Sequence, residues 1–335
     1  MRKEARILYS FDPENTFCKN FVETLRKALT GWDITLGAPG LMTRLFEVRK
    51  YNLIHSFHAP EEKAAGFVKA LPDNVRKVQT LLGPPAKPEA YRKLIVGHRA
   101  VVFSRTDRDL AQKTVPGTPV DWIPPCSALP DMNLLQPSSQ VRDSFQVGDR
   151  FMVVALCDIS SKEDFDNFIY VTREYNRRGE FRFLLPRFIK DKDTLLWRDR
   201  IRVMIEQERL TCATLLDQDV DLHSLLDAAD MAVYLRKGRE PGFDFSLHVL
   251  EAINLGKPVL CYNIPPYNET LKEFAPAWSC TNTEEVVRES QNLRKSAAQI
   301  EQISTDMARF ARDRFSADKI AAQYRAIYET ALKSL

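Results

Sequence analysis

Short apolar runs alternate with segments of helical period along the chain, and the alternation occurs twice. The first series is Arg6–Ser10, Asp33–Leu36, Asn52–His55, Lys77–Leu82, Ala100–Phe103 and Val120–Ile123, with a helical pattern over Asn20–Leu29 and further helical segments between the later runs. The second is Arg150–Ala155, Phe181–Leu185, Cys212–Leu216, Ala232–Leu235 and Pro258–Tyr262. It is separated by helical patterns over Lys162–Arg178, Thr194–Gln207, Leu222–Ala229 and Ser246–Leu255, with helix again from Glu284 onward. Runs that are apolar throughout, rather than alternating, belong to strands covered on both faces, and strands separated by helices are joined as βαβ units. Two parallel sheets are therefore expected. Between the series, the stretch from Pro124 to Gly148 is rich in proline and serine and lacks period, as a linker does. The division expected is a first Rossmann-like domain over 1–130, a linker over 131–149, a second over 150–310 and a C-terminal segment over 311–335.

A length of 335 residues accommodates two such domains. No apolar run approaches the ~20 residues of a membrane span. The N-terminus MRKEARILYSF has neither a long apolar stretch nor a small-residue cleavage site, so a cytoplasmic location is expected. Six scattered cysteines without a CxxC pair read as reduced, mostly buried thiols. The net charge of +3 is uneven: residues 1–136 carry +6 and the remainder −3. The basic first half suits an anionic acceptor, a partner protein or the inner face of a membrane. No dense basic run is interleaved with aromatics, so nucleic acid is not an expected partner.

The segment Leu225–Glu269 carries the clearest chemistry. A buried run, Ala232–Leu235, leads into a loop holding Arg236, Lys237, Arg239 and two glycines, then a helix with Ser246 at its start and Glu251 inside it. A loop whose backbone N–H groups approach an anion, followed by a helix N-terminus, suits a phosphate. A carboxylate at Glu251 repels phosphate but accepts hydrogen bonds from a ribose diol. In the first half, His58 follows a strand and is the candidate substrate-contacting histidine; His55 and His58 have no companion ligand at metal spacing. His98 and His223 read as helix-surface positions; His248, on the first turn of the Glu251 helix, reads as a surface position that could instead face the ligand. GxSxG, HExxH and P-loop motifs are absent from the sequence.

This segment resembles the family 4 (group 1) GT-B glycosyltransferases, whose pattern runs EGFGLPxLEAMAxGxPVV and then, after a short loop, another glutamate. The matching residues are Phe245, Leu247, Leu250, Glu251, Ala252, Gly256, Pro258, Val259 and Glu269. The likeness extends over about 150–335, including RFSADKIAAQYRAIYETAL at the end, and continues by layout only over 1–125. It implies an α/β GT-B fold, two Rossmann-like doubly wound domains facing a central cleft, with the last helix crossing back to the first. It implies a retaining, hexosyltransferase-type enzyme moving a sugar from a nucleoside-diphosphate sugar to a saccharide, lipid or protein acceptor, with no cofactor and no bound metal. In that reading Glu251 takes the ribose, and backbone N–H groups of Phe245, Ser246 and Leu247 face the diphosphate. Lys162 falls at a phosphate-contacting lysine, while Asn268 and Glu269 lie near the sugar or diphosphate.

Four positions depart from the pattern. Phe243 stands where the family has a glutamate, leaving Asp244 and Glu240 as the nearby carboxylates for the sugar chemistry. Cys157 replaces an arginine, whose charge Arg236, Lys237 or Arg239 could supply. SFDPENTF stands in place of a glycine-rich loop, and Leu82 in place of a first-domain histidine. A second reading therefore stands beside the enzyme: a catalytically impaired GT-B protein that binds a glycan or a partner.

Overall fold

The computed structural model describes residues 5–12, 16–37, 48–126, 131–188, 192–218, 220–237, 246–275 and 278–333. The chain divides into two compact units. One takes 1–128, 239–247 and 313–335, and the other 129–238 and 248–312.

The first unit is built on β1 (Arg6–Ser10), β2 (Asp33–Gly37), β3 (Leu53–His58), β4 (Arg76–Leu81), β5 (Arg99–Val102) and β6 (Val120–Trp122). They form one parallel sheet in the order β2-β1-β3-β4-β5-β6. Helix α1 (Thr16–Ala28) covers one face with α13 (Ala317–Lys333), the last helix of the chain. Helices α2 (Glu62–Ala70), α3 (Tyr91–Leu94) and α4 (Arg105–Thr114) complete the crossovers. Because side chains alternate along a strand, Ile7, Tyr9, Leu53, Phe57 and Val78 meet Phe21, Leu25, Tyr324 and Tyr328 on one face. Leu8 and Ile54 pack with Val68, Leu71 and Val75 on the other.

That first core encloses a polar chain. His55 is fully buried, its Nδ1 2.6 Å from the Tyr328 hydroxyl and its Nε2 2.8 Å from Thr80 Oγ1. Tyr328 also meets the Tyr9 hydroxyl at 2.7 Å, and Thr80 meets the Tyr324 hydroxyl at 3.1 Å. Burial, with His58 as a lesser cause, holds the His55 imidazole well below its ordinary value and hence neutral. A neutral ring donates through one nitrogen and accepts through the other, and a hydroxyl can meet either need.

The second unit holds β7 (Phe151–Ala155), β8 (Phe181–Pro186), β9 (Ala213–Leu216), β10 (Met231–Tyr234), β11 (Val259–Tyr262) and the short β12 (Ser279–Cys280). The order is β12-β11-β10-β7-β8-β9, again parallel. This is the doubly wound order, and it reverses between β7 and β10, the place where such sheets bind ligands at their C-terminal ends. The segment read as a linker carries a 3-10 turn at Met132–Leu134 and a helix, α5 (Ser138–Ser144). Arg142 fixes that helix to the second unit by donating to Ala228 O and Asp230 Oδ2, both at 3.1 Å.

The remaining helices are α6 (Lys162–Arg178), α7 (Lys192–Gln207), α8 (Leu222–Ala228), α9 (Leu247–Asn254), α10 (Tyr267–Leu271), α11 (Thr283–Lys295) and α12 (Ala297–Phe315). Helix α9 stops by a Schellman turn: Lys257 N–H donates to Ala252 O, Gly256 N–H donates to Ile253 O, and Gly256 has φ +73°. A Cβ at Gly256 would stand 2.5 Å from Ser304 O on α12, so this position admits only glycine. No helix among the described residues is long and apolar enough to cross a membrane.

Tyr328→Phe should lower unfolding free energy by roughly 1–3 kcal/mol, because a buried imidazole nitrogen and the Tyr9 hydroxyl each lose a partner. Chemical denaturation of the variant measures this, and an unchanged midpoint would show that the polar chain contributes nothing to stability.

Candidate functional site at the second sheet

The strand order directs attention to the loops that leave the C-terminal ends of β7 and β10. Leu156 N–H donates to Val233 O, carrying the β7–β10 pairing one residue past the strand. Beyond it Cys157 is buried, and burial pushes its thiol up to about 12 against the opposing pull of the Arg236 guanidinium. Ser161 caps α6 by accepting from the Asp164 N–H at 3.1 Å. The Asp164 carboxylate turns back on the loop and accepts from Ser160 N–H at 3.2 Å and from the Ser160 hydroxyl at 3.1 Å.

Arg236, two residues past β10, reaches into this corner. It is 7% exposed, donates through Nη2 to Ser160 Oγ, and has Nε 3.9 Å from Asp164 Oδ2. Lys237 lies beside it, its Nζ 3.6 Å from Glu163 Oε1 and 5.2 Å from the centre of the Tyr262 ring. Two cations are thus gathered at the reversal point of the sheet, next to the N-terminus of α6. Lys162 is not brought in with them. Its side chain is 78% exposed and pairs along the helix with Asp166 at 2.5 Å.

Glu251 sits in the middle of α9 with its side chain 12% exposed. Oε2 is 2.9 Å from His248 Nδ1, one turn earlier on the same helix, and Oε1 is 3.5 Å from His223 Nε2 on α8. The first is a hydrogen bond; the second is an ion-pair distance too long for a well-formed one. Burial alone would raise the Glu251 carboxyl, but the two imidazoles outweigh it and hold the group at about 2. The carboxylate in turn raises His223 above its ordinary value, against the burial that lowers it. The His248 ring stacks on Phe188, just past β8, with centroids 4.2 Å apart and planes at 26°.

Asn268 and Glu269 lie on α10, which follows the cis bond between Pro265 and Pro266. Asn268 Oδ1 is buried without a hydrogen-bond partner among the described residues. Tyr267 packs on Tyr234, the last residue of β10, at 4.8 Å between ring centres. Ser246 directly precedes α9 and Leu247 is its first residue, so their N–H groups belong to the helix start, where intrahelical acceptors are lacking. Asp244, Glu240 and Phe245, with Phe243 and Arg239, lie outside the described residues.

His58 belongs to the first unit and lies inside β3, which runs to residue 58 rather than ending at His55. It is 7% exposed, with Nδ1 2.7 Å from Ala59 O and Nε2 3.1 Å from Gln79 Nε2. Nδ1 must donate to the carbonyl, which leaves Nε2 to accept from the amide. Gln79 is itself fully engaged, giving its other hydrogen to Leu94 O and accepting from Val96 and Gly97 N–H. Both ring nitrogens are therefore occupied, and burial lowers the imidazole below its ordinary value.

Sequence reasoning does not single out Ser160, Asp164 and Phe188; it takes His223 for a surface position and leaves His248 between the helix surface and the ligand. The i, i+3 spacing of His248 and Glu251 on one helix is the available signal. Nothing local connects His223, 28 positions earlier, to that carboxylate. Among the described residues no group of three His, Cys, Asp or Glu side chains is arranged to hold a metal ion. A cavity of about 1060 Å³ opens at the N-terminal ends of β1–β3, beside Trp32. Its cations Arg6, Lys50 and Lys333 are mixed with Asp33 and Glu329, and it lies at the opposite end of the strands from the ligand crevice of a parallel sheet.

No family model matches the chain, and no curated protein matches its sequence. Solved structures do match its fold. A glycosyltransferase from Rickettsia africae is 12% identical with a TM-score of 0.79, over 99% of this chain and all of that one. Sucrose-phosphate synthase from Thermosynechococcus elongatus is 15% identical with a TM-score of 0.74, over 98% of this chain and all of that one. The Anabaena protein HepE in complex with UDP gives the same identity, TM-score and coverage. These neighbours are GT-B glycosyltransferases, and the chain has the GT-B fold.

The ionised Glu251 contributes stability above its ordinary value of 4.5, and that contribution is lost as pH falls toward about 2. The stability difference between the wild type and Glu251→Gln should therefore shrink on acidification through that window. Thermal melting of both proteins across it is the check; a constant difference would contradict the depressed carboxyl.

Proposed function

We propose that the chain is a retaining, nucleotide-sugar-dependent glycosyltransferase of the family 4 kind. The observation that carries the reading is Arg236, buried at the reversal point of the second sheet beside the small Cys157, at the start of the segment that leads to Glu251. An arginine at position 157 would project from the loop after β7; Arg236 brings the same charge from the loop after the neighbouring β10 into the corner beside the cysteine. The neighbours add support: HepE has been solved with UDP and with UDP-glucose.

In this reading the Arg236 guanidinium, Lys237 and the N–H groups of Ser246 and Leu247 at the start of α9 hold the diphosphate, and the sequence resemblance adds the Phe245 N–H. Glu251 accepts the two ribose hydroxyls. Asn268 and Glu269 border the sugar, and Asp244 and Glu240 remain the carboxylates that the sequence offers for the sugar chemistry. In the transfer, the bond from the sugar C1 to the diphosphate oxygen breaks and its electron pair stays with the phosphate. The acceptor hydroxyl oxygen bonds C1 on the same face and gives its proton to the departing diphosphate oxygen. Charge built up on the leaving phosphate is met by fixed cations and N–H dipoles. The acceptor, a saccharide, lipid or protein, falls to the first unit with its basic surface, at the inner face of a membrane where the acceptor is a lipid. His58 takes a structural part, since neither ring nitrogen is available. Lys162, exposed and paired with Asp166, contributes little.

The second reading, a protein that binds the donor without turning it over, draws on His58 being occupied and on Phe243 replacing a carboxylate. Calorimetry with UDP, followed by a panel of UDP-sugars assayed for hydrolysis and transfer, separates the two. The wild type should bind UDP and release it from at least one sugar. Arg236→Ala should weaken UDP binding by roughly 10- to 100-fold, the worth of a charge-assisted contact. Lys162→Ala should stay within about twofold, as exposed pairs do. Equal UDP affinity in Arg236→Ala and wild type would remove Arg236 from the donor site, and binding without turnover on every sugar would favour the second reading.

A further inference from the structure

The apolar face of the short helix α9, Val249, Leu250, Ala252 and Ile253, is buried without help from Glu251. Its carboxylate is nevertheless met on both oxygens by imidazoles from two different elements. One ring and the backbone of the other residue are held in place from behind. His248 is stacked on Phe188, whose own N–H donates to Asp158 Oδ2 at 2.9 Å. His223 is fixed at the start of α8, where its N–H donates to the capping carboxylate of Asp221 at 3.1 Å. The His223 Nε2 atom is buried and makes no hydrogen bond among the described residues, although it faces Glu251 Oε1 at 3.5 Å. The contact is half made: protonation can close it, and a competing donor can replace it.

A vicinal diol bound to a carboxylate uses both oxygens, one hydroxyl to each. The two imidazoles stand on those same oxygens. His248 can donate from Nδ1 whether or not it carries a charge, and Oε2 keeps a second lone pair for a hydroxyl. His223 differs, because at 3.5 Å its hold on Oε1 is electrostatic and depends on its proton.

We propose that His223 and His248 are positioning residues of the donor site, with His248 orienting the Glu251 carboxylate and a protonated His223 competing with the ribose diol, so that nucleotide affinity rises as His223 loses its proton. The inference rests on the donor-site reading given above. Because the Glu251 carboxylate raises His223, the change falls at and above the ordinary imidazole range rather than below it. Among the described residues the charged groups facing the two rings are Glu251 on α9 and Asp221, which caps α8. On the β8 side the neighbours are Phe188, Arg187 next to it in the chain, and Asp158 behind the Phe188 N–H.

The test compares UDP with 2′,3′-dideoxyuridine diphosphate by calorimetry from about pH 6 to about pH 8, a range that spans the imidazole titration. Both ligands share the ionisation of the diphosphate, so their affinity ratio isolates the diol. In the wild type the ratio in favour of UDP should rise about tenfold, one linked proton being released over most of that span. His223→Gln should flatten the ratio, with its melting temperature as a check on folding. His248→Gln should lower the ratio at every pH. Tight UDP binding with a flat ratio in the wild type would overturn the proposal, and that measurement needs no variant. Failure of both nucleotides to bind at any pH would instead sink the donor-site reading, and the positioning role with it.

Discussion

The hydroxyl and imidazole chain running from Tyr9 through Tyr328 and His55 to Thr80 and Tyr324 ties the last helix of the protein to the first sheet. Leaving any of these buried groups unpaired costs about 1–3 kcal/mol, so the chain holds together only with every member present. Two of its members, Tyr324 and Tyr328, arrive more than 240 residues after the strand that carries Thr80. The first unit is therefore not finished when residue 128 has been made. Its core of Ile7, Tyr9, Phe21 and Leu25 is closed by Ile320, Tyr324 and Tyr328. The connectivity of the whole molecule reflects this, because the chain must leave the first sheet, build the second and return.

The second unit is organised around buried arginines in a comparable way. Arg198 on α7, 2% exposed, donates to the carbonyls of Leu185, Pro186 and Leu216 and to Asp217, and it faces Asp158 at 3.6 Å. It thereby fixes the C-terminal ends of β8 and β9 and the loop after β7. Arg236 does the same between the end of β10 and the start of α6, through Ser160 and Asp164. A buried charge has to be paired to persist. At Arg236 the pairing also leaves a cation at the point where a doubly wound sheet receives ligands, so one residue meets a structural need and supplies the charge of the proposed site.

Much of the fold is legible in the residues themselves. The strand runs are apolar throughout because parallel strands are covered on both faces, and the observed strands, apart from the two-residue β12, fall within a few residues of those runs. Segments governed by neighbours in sequence are readable too: Ser161 capping α6, Gly256 ending α9, and the position of Glu251 inside its helix. The helix Ser138–Ser144 is not readable, because its stability comes from Arg142 reaching Ala228 and Asp230 rather than from its own period.

What the sequence determined by itself is the βα grammar, its repetition and the segment where a nucleotide ligand would be sought, since these depend on periodicity and on local capping. The tertiary structure decided which charged and polar groups are buried and what they face. It turned Lys162 outward and Arg236 inward, enclosed His55 and His58, and set His223 against Glu251. Those outcomes depend on burial and on partners far apart in the chain. The charge state of a histidine or a carboxylate is set by its surroundings in space, and spacing along the sequence carries no record of that.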